Sequence, residues 1–383
     1  MKSARALVGL SFGFLIGVLA QSILGFSFWL IFGLVLAAII CSVLEIFGGS
    51  GRSFLFFIIL FSAALGFLRA GTYKEDFSKE EKVFWNTSRE YLVNRTKSIL
   101  PQNEGALFNA MVFGYEKDVS QKIKEDFNIT GTRHVLAISG MNISIIALMI
   151  MNFGLWLGLW RRQAFYVAVL AVIAFIFLVG SPASAVRAGI MGILLLWAKN
   201  KGRLMQAWRP IMLAAFFMVA LNPKLLVFSI GFQLSFLAVI GIIYFKNFWD
   251  RILFFIPIKP MRELVVLSMA AQTTTWPVIL YNFGTLSVIS PIANIFVVPM
   301  LNPIMFLGLG FVAVSFSSYL SQIFLWPVWL ILKANIKIVE FFASFNWASI
   351  NLGKAGLITF IFYPFLYLFW LYLEKHNLND SVN

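Results

Sequence analysis

A short polar stretch, from Thr130 to Ser144, separates a charged segment from a long apolar run. It contains His134, Ser139 and Asn142, together with two glycines. Polar side chains that enter a membrane are costly unless they face protein or water, so they often mark a transport path. The same residues would also suit ordinary contacts between closely packed helices. The stretch therefore indicates either a polar path or a helix-packing site.

A second polar group opens the apolar segment 184–199. Ser184 and Arg187 fall in its first turn, after a turn that contains Gly180 and Pro182. Serine can cap a helix N-terminus, whose free amides and partial positive charge attract anions. Arg187 adds a full charge, so the pattern favours an anion-binding arrangement. The alternative is an arginine whose charged end reaches out to the membrane interface.

Amides and hydroxyls recur in later apolar segments. Gln233 and Ser235 lie within 225–245, and hydrogen bonding between helices is the favoured interpretation for them. Gln272 begins a polar cluster just before Pro277. Proline frees a backbone carbonyl in a helix, so this cluster would line a cavity or bond to freed carbonyls.

The remaining residue types exclude several chemistries. The chain has one cysteine, Cys41, and two distant histidines, His134 and His376. A three-ligand zinc site cannot be assembled from them, and no phosphate-binding loop for ATP is present. Only Glu45 and Glu340 are acids within predicted spans, which makes a proton relay a poor fit. We therefore expect no metal, no cofactor and no enzymatic activity.

Composition predicts an all-α, polytopic transmembrane helical bundle. Hydrophobic residues make up 60% of the 383 residues and charged residues 12%, with a mean hydropathy of +0.87. Soluble proteins carry about 25% charged residues. We expect about 11–12 membrane segments, some broken or re-entrant, with 289–303 and its three prolines as the best candidate for a broken one. The predicted spans lie near 5–20, 26–47, 52–71, 133–156, 163–180, 184–199, 209–222, 225–245, 263–282, 289–316, 319–345 and 354–373.

The segment 72–132 interrupts this pattern. The segment contains ten of the 16 acidic residues of the chain and nine of its 30 basic residues, so it is nearly neutral. Amphipathic spacing predicts a helical insertion on the membrane surface. The insertion would contain three helices. The first starts at the capping box Ser78–Glu81 and is ended by Pro101, and the second covers 104–113. The third carries Val119, Ile123 and Phe127.

The predicted organisation has four parts. They are N-terminal transmembrane helices over 1–71, the extracytoplasmic insertion 72–132, a transmembrane channel domain over 133–373 and a polar tail over 374–383. Basic loops near 161–162, 199–209 and 246–262 should face the cytoplasm. Counting spans back from them puts the N-terminus inside and 72–132 outside. The base excess of the membrane part fits this bias, and it would also suit a conduit for a polyanion.

Four ordered motifs across about 104–316 resemble the ComEC competence family, the inner-membrane channel of bacterial DNA uptake. They are Gly131-Thr-Arg-His-Val-Leu-Ala-Ile-Ser-Gly-Met-Asn142, Ser184-Ala-Val-Arg-Ala188, Asn222-Pro223 followed by Gly231-Phe-Gln-Leu-Ser-Phe-Leu-Ala238, and Gln272 to Pro277 followed by Phe283-Gly284, Asn294 and Pro299.

The resemblance implies a channel that passes single-stranded DNA into the cytoplasm through the plasma membrane during natural transformation. By that resemblance and the polar patterns, the path-lining residues would be His134, Ser139, Asn142, Ser184, Arg187, Gln233, Ser235, Gln272 and Asn294. The implied partners are an extracytoplasmic DNA-binding competence protein, a separate nuclease and a cytoplasmic DNA-translocating ATPase. Whether the chain forms a homo-oligomer stays open.

Three departures from the family pattern stand out. Asn142 replaces a histidine of the family, which puts an imidazole role at that position in doubt. We also expect the β-barrel-like insertion and the C-terminal metallo-β-lactamase-like domain of long members to be missing. Another polypeptide would then have to degrade the second strand.

Two other functions compete with the channel. One is a secondary transporter of a small anion or a lipid-linked sugar, which internal repeats would favour. The other is a structural or assembly subunit whose polar residues only pack helices. Normal transport after disruption of the glycines and serines of 131–144 would favour the second.

Overall fold

The computed structural model describes residues 2–25, 28–46, 52–72, 79–200, 208–353, 361–366 and 368–369. Its helices are α1 (Lys2–Leu24), α2 (Phe28–Ile46), α3 (Arg52–Thr72), α4 (Lys79–Lys97), α5 (Gln102–Phe113), α6 (Gln121–Ile129), α7 (Arg133–Leu136), α8 (Gly140–Trp156), α9 (Arg161–Leu178), α10 (Ala183–Asn200), α11 (Trp208–Leu221), α12 (Leu225–Phe228), α13 (Ile230–Ile252), α14 (Lys259–Phe283), α15 (Ser290–Val314) and α16 (Ser318–Ala343). Two short strands, β1 (Thr285–Ser287) and β2 (Ser349–Asn351), complete it. The predicted all-α class is confirmed.

The helices have the length and composition of membrane spans. Within the described ranges, seven are long and apolar enough to cross a bilayer, and three shorter apolar helices accompany them. A bilayer core requires about 20 apolar residues. The helical membrane bundle is therefore confirmed, while the number of 11–12 segments stays a prediction. The seven candidate spans are Ala6–Leu24, Leu55–Thr72, Arg161–Leu178, Ile230–Ile252, Lys259–Phe283, Ser290–Val314 and Tyr319–Ala343.

The chain forms two compact units. The first contains Met1–Ser78 and Ile190–Phe236, and the second contains Lys79–Gly189 and Leu237–Asn383. The four-part organisation expected from the sequence stays a prediction. The capping serine Ser78, the tail 374–383 and most of the span 354–373 lie outside the described residues.

Small residues hold the first unit together. α1 packs on α3 so closely that a methyl group added at Gly13 would overlap the Ile59 carbonyl, and one added at Gly17 would overlap the Ala63 carbonyl. On the facing helix, a methyl group at Gly66 would meet the backbone of Phe14. Glycines at such spacing let two helices in lipid approach backbone to backbone. Arg69, near the end of α3, then donates hydrogen bonds to the Ala220 and Leu221 carbonyls.

The three short helices predicted between 72 and 132 are α4, α5 and α6. Gly114 ends α5 in the left-handed conformation that glycine adopts without a side-chain clash, with φ of 66°. Ser120 caps α6 by accepting a hydrogen bond from the Ile123 amide. α6 is amphipathic as expected, with only Ile123 and Phe127 buried. α5 differs, because every residue from Gly105 to Phe113 is buried, so it is a core helix and not a surface helix.

The second unit is built around α5, α15 and α16. Phe108 of α5 packs edge-on against Phe311 of α15, with ring centres 6.0 Å apart. Val112 contacts the backbone at Gly308, where a larger residue would not fit without a shift. β1 pairs antiparallel with β2, Thr285 opposite Asn351, and so joins the α14–α15 connection to the chain after α16.

The expectation that 289–303 would be broken is wrong. α15 runs unbroken from Ser290 to Val314, with Pro299 and Pro303 inside it. Each proline removes one amide donor, and both Pro299 and Pro303 lie on the exposed side of α15. The buried side of the helix, with Val297, Leu301 and Ile304, packs into the core on either side of the prolines, so the helix continues. The breaks occur elsewhere, at residues 137–139 between α7 and α8 and at Ser229 between α12 and α13.

Candidate functional site

The break before α8 positions the first polar group. Ser139 is extended, with φ of −112° and ψ of 170°, and α8 starts at the next residue. The Ser139 hydroxyl donates to Oδ1 of Asn142 at 2.9 Å, and Nδ2 of Asn142 donates to the Met111 carbonyl of α5 at 3.0 Å. Asn142 is fully buried. Its amide therefore joins the start of α8 to the core helix.

The turn before α10 positions the second group. Gly180 and Ser181 both adopt left-handed backbone conformations, with φ of 84° and 55°. Such a conformation is uncommon for a residue with a side chain. The reversal brings the Ser184 hydroxyl to the Ile138 carbonyl, to which it donates a hydrogen bond. The first turn of α10 is thereby tied to the break before α8.

Arg187 is the one charged residue among the buried polar residues of the described ranges. It keeps 7% of its surface accessible and lies one turn into α10. A methyl group added at Gly140 would stand 3.5 Å from its Nη2 atom and 3.4 Å from Cβ of Ala188. The guanidinium thus lies beside the first residue of α8, at a distance at which an added methyl group would make ordinary van der Waals contact.

Ser139, Asn142, Ser184 and Arg187 therefore form one cluster, the α8–α10 junction. Two helices start there, and the free amides of their first turns carry partial positive charge. A buried guanidinium adds a full charge, so the junction favours a negatively charged group. Across the described part of the chain, no three histidine, cysteine, aspartate or glutamate residues are grouped as metal ligands would be.

His134 lies apart from this cluster on the single turn of α7. Its side chain is exposed, while the neighbouring Thr132 is fully buried. Arg133, beside it, forms an ion pair with Glu116 at 3.4 Å. The turn before α7 is tightly packed, because a methyl group at Gly131 would come within 2.6 Å of Cβ of Ser290.

Asn294 belongs to a third polar group, at the start of α15. Its Nδ2 atom donates to the hydroxyl of Ser268 on α14 at 2.9 Å and lies 3.4 Å from that of Ser290. Its Oδ1 atom, and the hydroxyl of Ser287, are buried without a hydrogen-bond partner in the described structure. Because Ser290 also touches Gly131, this group adjoins the turn that leads to His134.

Gln272 is half-buried on α14, and the threonines after it pack helices. Thr273 accepts a hydrogen bond from Nε1 of Trp249 at 3.0 Å. Thr274 donates to the Leu237 carbonyl at 2.7 Å and stands where a side chain at Gly241 would have to be. Helix packing is thus the role that the contacts of this cluster indicate.

Gln233 and Ser235 lie in the first unit. Gln233 donates to the carbonyls of Leu226 and Val227, at 3.2 and 2.8 Å, across the break at Ser229. These carbonyls lose their helical partners at the break, so the amide side chain replaces them. Ser235 is half-buried on the same helix.

A further group of the second unit is centred on Tyr115, and no pattern in the sequence indicates it. The charged ends of Arg89, Lys97 and Lys117 lie 5.7, 5.6 and 5.9 Å from the centre of its ring. Arg89 also donates to the Val179 carbonyl at 3.2 Å, at the start of the turn that leads to α10. The three cations and the ring come from α4 and from the loop between α5 and α6, and only folding brings them together.

Comparison with known proteins gives a family match over most of this region. The family model described as "Competence protein" matches residues 111–376. ComE operon protein 3 of Bacillus subtilis (strain 168) is 25% identical over 298 residues, which are 77% of this chain and 38% of that protein. The chain thus spans well under half the length of this relative. No solved structure matches it. Because the family model covers more than half of the chain, including the α8–α10 junction, this chain belongs to the competence protein family.

Proposed function

We propose that this chain is a plasma-membrane channel that passes single-stranded DNA into the cytoplasm during natural transformation. Family membership supports a role in competence. The observation that carries the finer proposal is the α8–α10 junction, where buried Arg187 lies against Gly140 at two helix starts. A buried cation with preformed amide donors suits a phosphate group.

The proposed mechanism is electrostatic and involves no bond breaking. A phosphate backbone that enters an apolar bilayer loses its hydration, and positive groups along the path offset that loss. Outside residues 72–132 the chain carries six acids and twenty-one bases, so its membrane part has a net positive charge that attracts a polyanion. A separate nuclease and a cytoplasmic ATPase would supply strand degradation and work.

The proposed location is the bacterial inner membrane, with several crossings. The N-terminus would face the cytoplasm and 72–132 the outside, so that incoming DNA meets α4–α6 first. The ion pairs Lys246–Glu263 and Arg262–Asp250, at 3.5 and 2.9 Å, neutralise part of the basic α13–α14 connection. The remaining bases there, Arg251 and Lys259, are exposed, which agrees with a cytoplasmic loop.

The experiment measures the uptake of labelled double-stranded DNA by cells in which this gene is deleted and replaced by a variant. Two variants are tested: Arg187→Gln, and Arg187→Ala combined with His134→Ala. We expect both to leave DNA bound outside the inner membrane and to reduce the amount of single-stranded DNA in the cytoplasm at least about tenfold. A tenfold effect corresponds to the loss of a buried charge contact of about 1.4 kcal/mol. Arg161→Gln removes an exposed arginine at the start of α9 and serves as the matched control.

Membrane-extracted protein must be equally abundant in all strains for this comparison. Undiminished cytoplasmic DNA in the deletion strain would overturn the channel proposal and leave the transporter of a small anion as the better account. Normal delivery by both Arg187 variants would remove the α8–α10 junction from the path.

A further inference from the structure

The group around Tyr115 lies outside the residues assigned so far. We define the Tyr115 cluster as Tyr115 with Arg89, Lys97 and Lys117. All three positive ends stand within 6 Å of one ring centre, at 5.7, 5.6 and 5.9 Å. The ring attracts each cation through its electron-rich face. It thus holds three like charges side by side, although they repel one another.

The charges of this cluster are only partly compensated. Asp118 forms an ion pair with Lys97 at 2.7 Å, and this contact raises the pKa of Lys97, which stays charged at neutral pH. Glu116 is engaged by Arg133 at 3.4 Å. Lys117 is exposed and has no ion pair in the described part of the chain. The cluster therefore keeps a net positive charge that an anion would compensate.

A cavity adjoins the cluster. Lys97 and Asp118 form one part of its wall, and the remaining lining is mostly apolar, from Leu100, Pro101 and Ala106, with Gln102 as a further polar group. Its volume of about 390 Å³ falls in the range of small-molecule sites. An apolar wall with one amide beside cations suits a flat ring that is attached to a phosphate.

The cluster is coupled to the α8–α10 junction by covalent and hydrogen-bonded links. Arg89 donates to the Val179 carbonyl, and a methyl group at Gly180 would come within 3.0 Å of its Nη1 atom. Residues 180–182 form the turn from there to α10, which carries Ser184 and Arg187. Arg89 therefore links an anion held at Tyr115 to the turn that leads to the start of the proposed path.

We propose that the Tyr115 cluster is a receiving site for single-stranded nucleic acid. The three cations contact successive phosphates, while the aromatic ring and the adjoining cavity accept bases. Cations interleaved with an aromatic ring form the usual surface for single strands without sequence preference. This inference rests on the proposed function, since it names the place where the strand is first held. An anionic lipid headgroup shares the phosphate chemistry but lacks the base.

The experiment uses the full-length protein in nanodiscs of neutral phosphatidylcholine. Binding of a fluorescent oligothymidylate is followed by anisotropy between about 50 and 200 mM salt, the range over which phosphate contacts weaken strongly. We expect Lys117→Gln to weaken binding several-fold and to lower the slope of log affinity against log salt by about 0.7, the value for one lost contact with a single strand. Lys124→Gln, which removes the same charge from α6, should change neither quantity.

Two further variants separate binding from folding. Asp118→Asn removes the carboxylate that competes for Lys97, so it should tighten binding, whereas a purely structural role for Asp118 predicts no gain. Tyr115→Leu should weaken binding by at least about fivefold, because it removes the ring on which one base stacks. Equal affinities for all four variants and the unchanged protein would overturn the proposal.

A lipid arm tests the competing ligand. If the oligonucleotide does not bind, and phosphatidylglycerol vesicles bind the protein with the same dependence on Lys117, the site belongs to lipid and the proposal fails. Failure of the receiving-site proposal is distinguishable from failure of the channel proposal. Intact DNA delivery by a Lys97→Gln, Lys117→Gln double variant would reject the receiving site but not the channel. Loss of delivery in the Arg187 variants would still support the channel.

Discussion

At the scale of single residues, the polar side chains of this protein perform two different tasks. Asn142 and Gln233 satisfy backbone carbonyls and are structural by their contacts. Arg187 and Lys117 present positive charge. The two groups look alike in the sequence, because both are polar residues within or beside apolar runs. Their partners distinguish them, so substitutions should affect stability in the first group and transport in the second.

Asn142 stands where the sequence motif of the resembled family predicts a histidine. It donates to Met111 and accepts from Ser139, and a neutral imidazole also has one donor and one acceptor. We expect Asn142→His to keep stability within about 1 kcal/mol, and Asn142→Leu to lose about 1–3 kcal/mol through the unpaired Met111 carbonyl. Thermal unfolding in detergent measures both.

The control for Asn142 is Asn152→Leu, an exposed amide on the same helix. It should leave the unfolding temperature unchanged. If Asn142→Leu were as stable as the unchanged protein but failed to deliver DNA, Asn142 would be a path residue and not a structural one.

At the scale of elements, close contacts and interruptions have specific causes. α1 and α3 touch through glycines, and α12 and α13 are separated at Ser229, whose hydroxyl accepts from the Phe232 amide to start α13. α15 continues through Pro299 and Pro303, which both lie on its exposed side, while its other side packs into the core. The course of each helix therefore depends on what packs against it as well as on its own residues.

The contact between α1 and α3 makes Gly17 sensitive to any side chain. Gly17→Leu would place atoms on the Ala63 backbone, so the helices must separate. We expect a loss of about 1–3 kcal/mol, typical of overpacking, seen as a lower unfolding temperature. Gly33→Leu on α2 is the matched control, since nothing lies within 4 Å of the added atom. Equal stability of the two variants would contradict the close approach.

The break at Ser229 makes Gln233 the second sensitive position. Gln233→Leu leaves the Leu226 and Val227 carbonyls without its two hydrogen bonds. Unpaired buried carbonyls cost about 1–3 kcal/mol, and a hydrogen–deuterium exchange experiment should show faster exchange confined to 225–236. Gln322→Leu replaces an exposed amide of α16 and should show no such change. Unaltered exchange in Gln233→Leu would argue against a structural role.

At the scale of the whole molecule, orientation decides which end meets DNA. The positive-inside bias predicts that α4–α6 face the outside and the α13–α14 connection the cytoplasm. Single cysteines in a Cys41→Ala background, at the exposed positions Gln121 and Arg251, test this. A membrane-impermeant maleimide should label Gln121→Cys in intact cells and Arg251→Cys only after lysis. The reverse pattern would invert the proposed direction of transport.

The sequence by itself determined the class of the protein and most helix positions. Sixty per cent hydrophobic residues and apolar runs of bilayer length leave a helical membrane bundle as the only arrangement that satisfies every backbone hydrogen bond. Local signals located α5 and α6, because Gly114 and Ser120 act through their own backbone neighbours. The ordered motifs identified the family for the same reason: they are contiguous in the chain.

Only the tertiary structure decided which polar residues meet and which helices break. Ser184 reaches the Ile138 carbonyl 46 residues away, and Arg187 lies against Gly140. α5 is buried by the helices around it, which its own periodicity does not record, and α15 runs unbroken through both of its prolines. Hydrogen bonding and burial depend on distance in space, whereas spacing along the chain fixes only the local face of each helix. The Tyr115 cluster, made from one helix and the loop between two others, is therefore visible only in the folded protein.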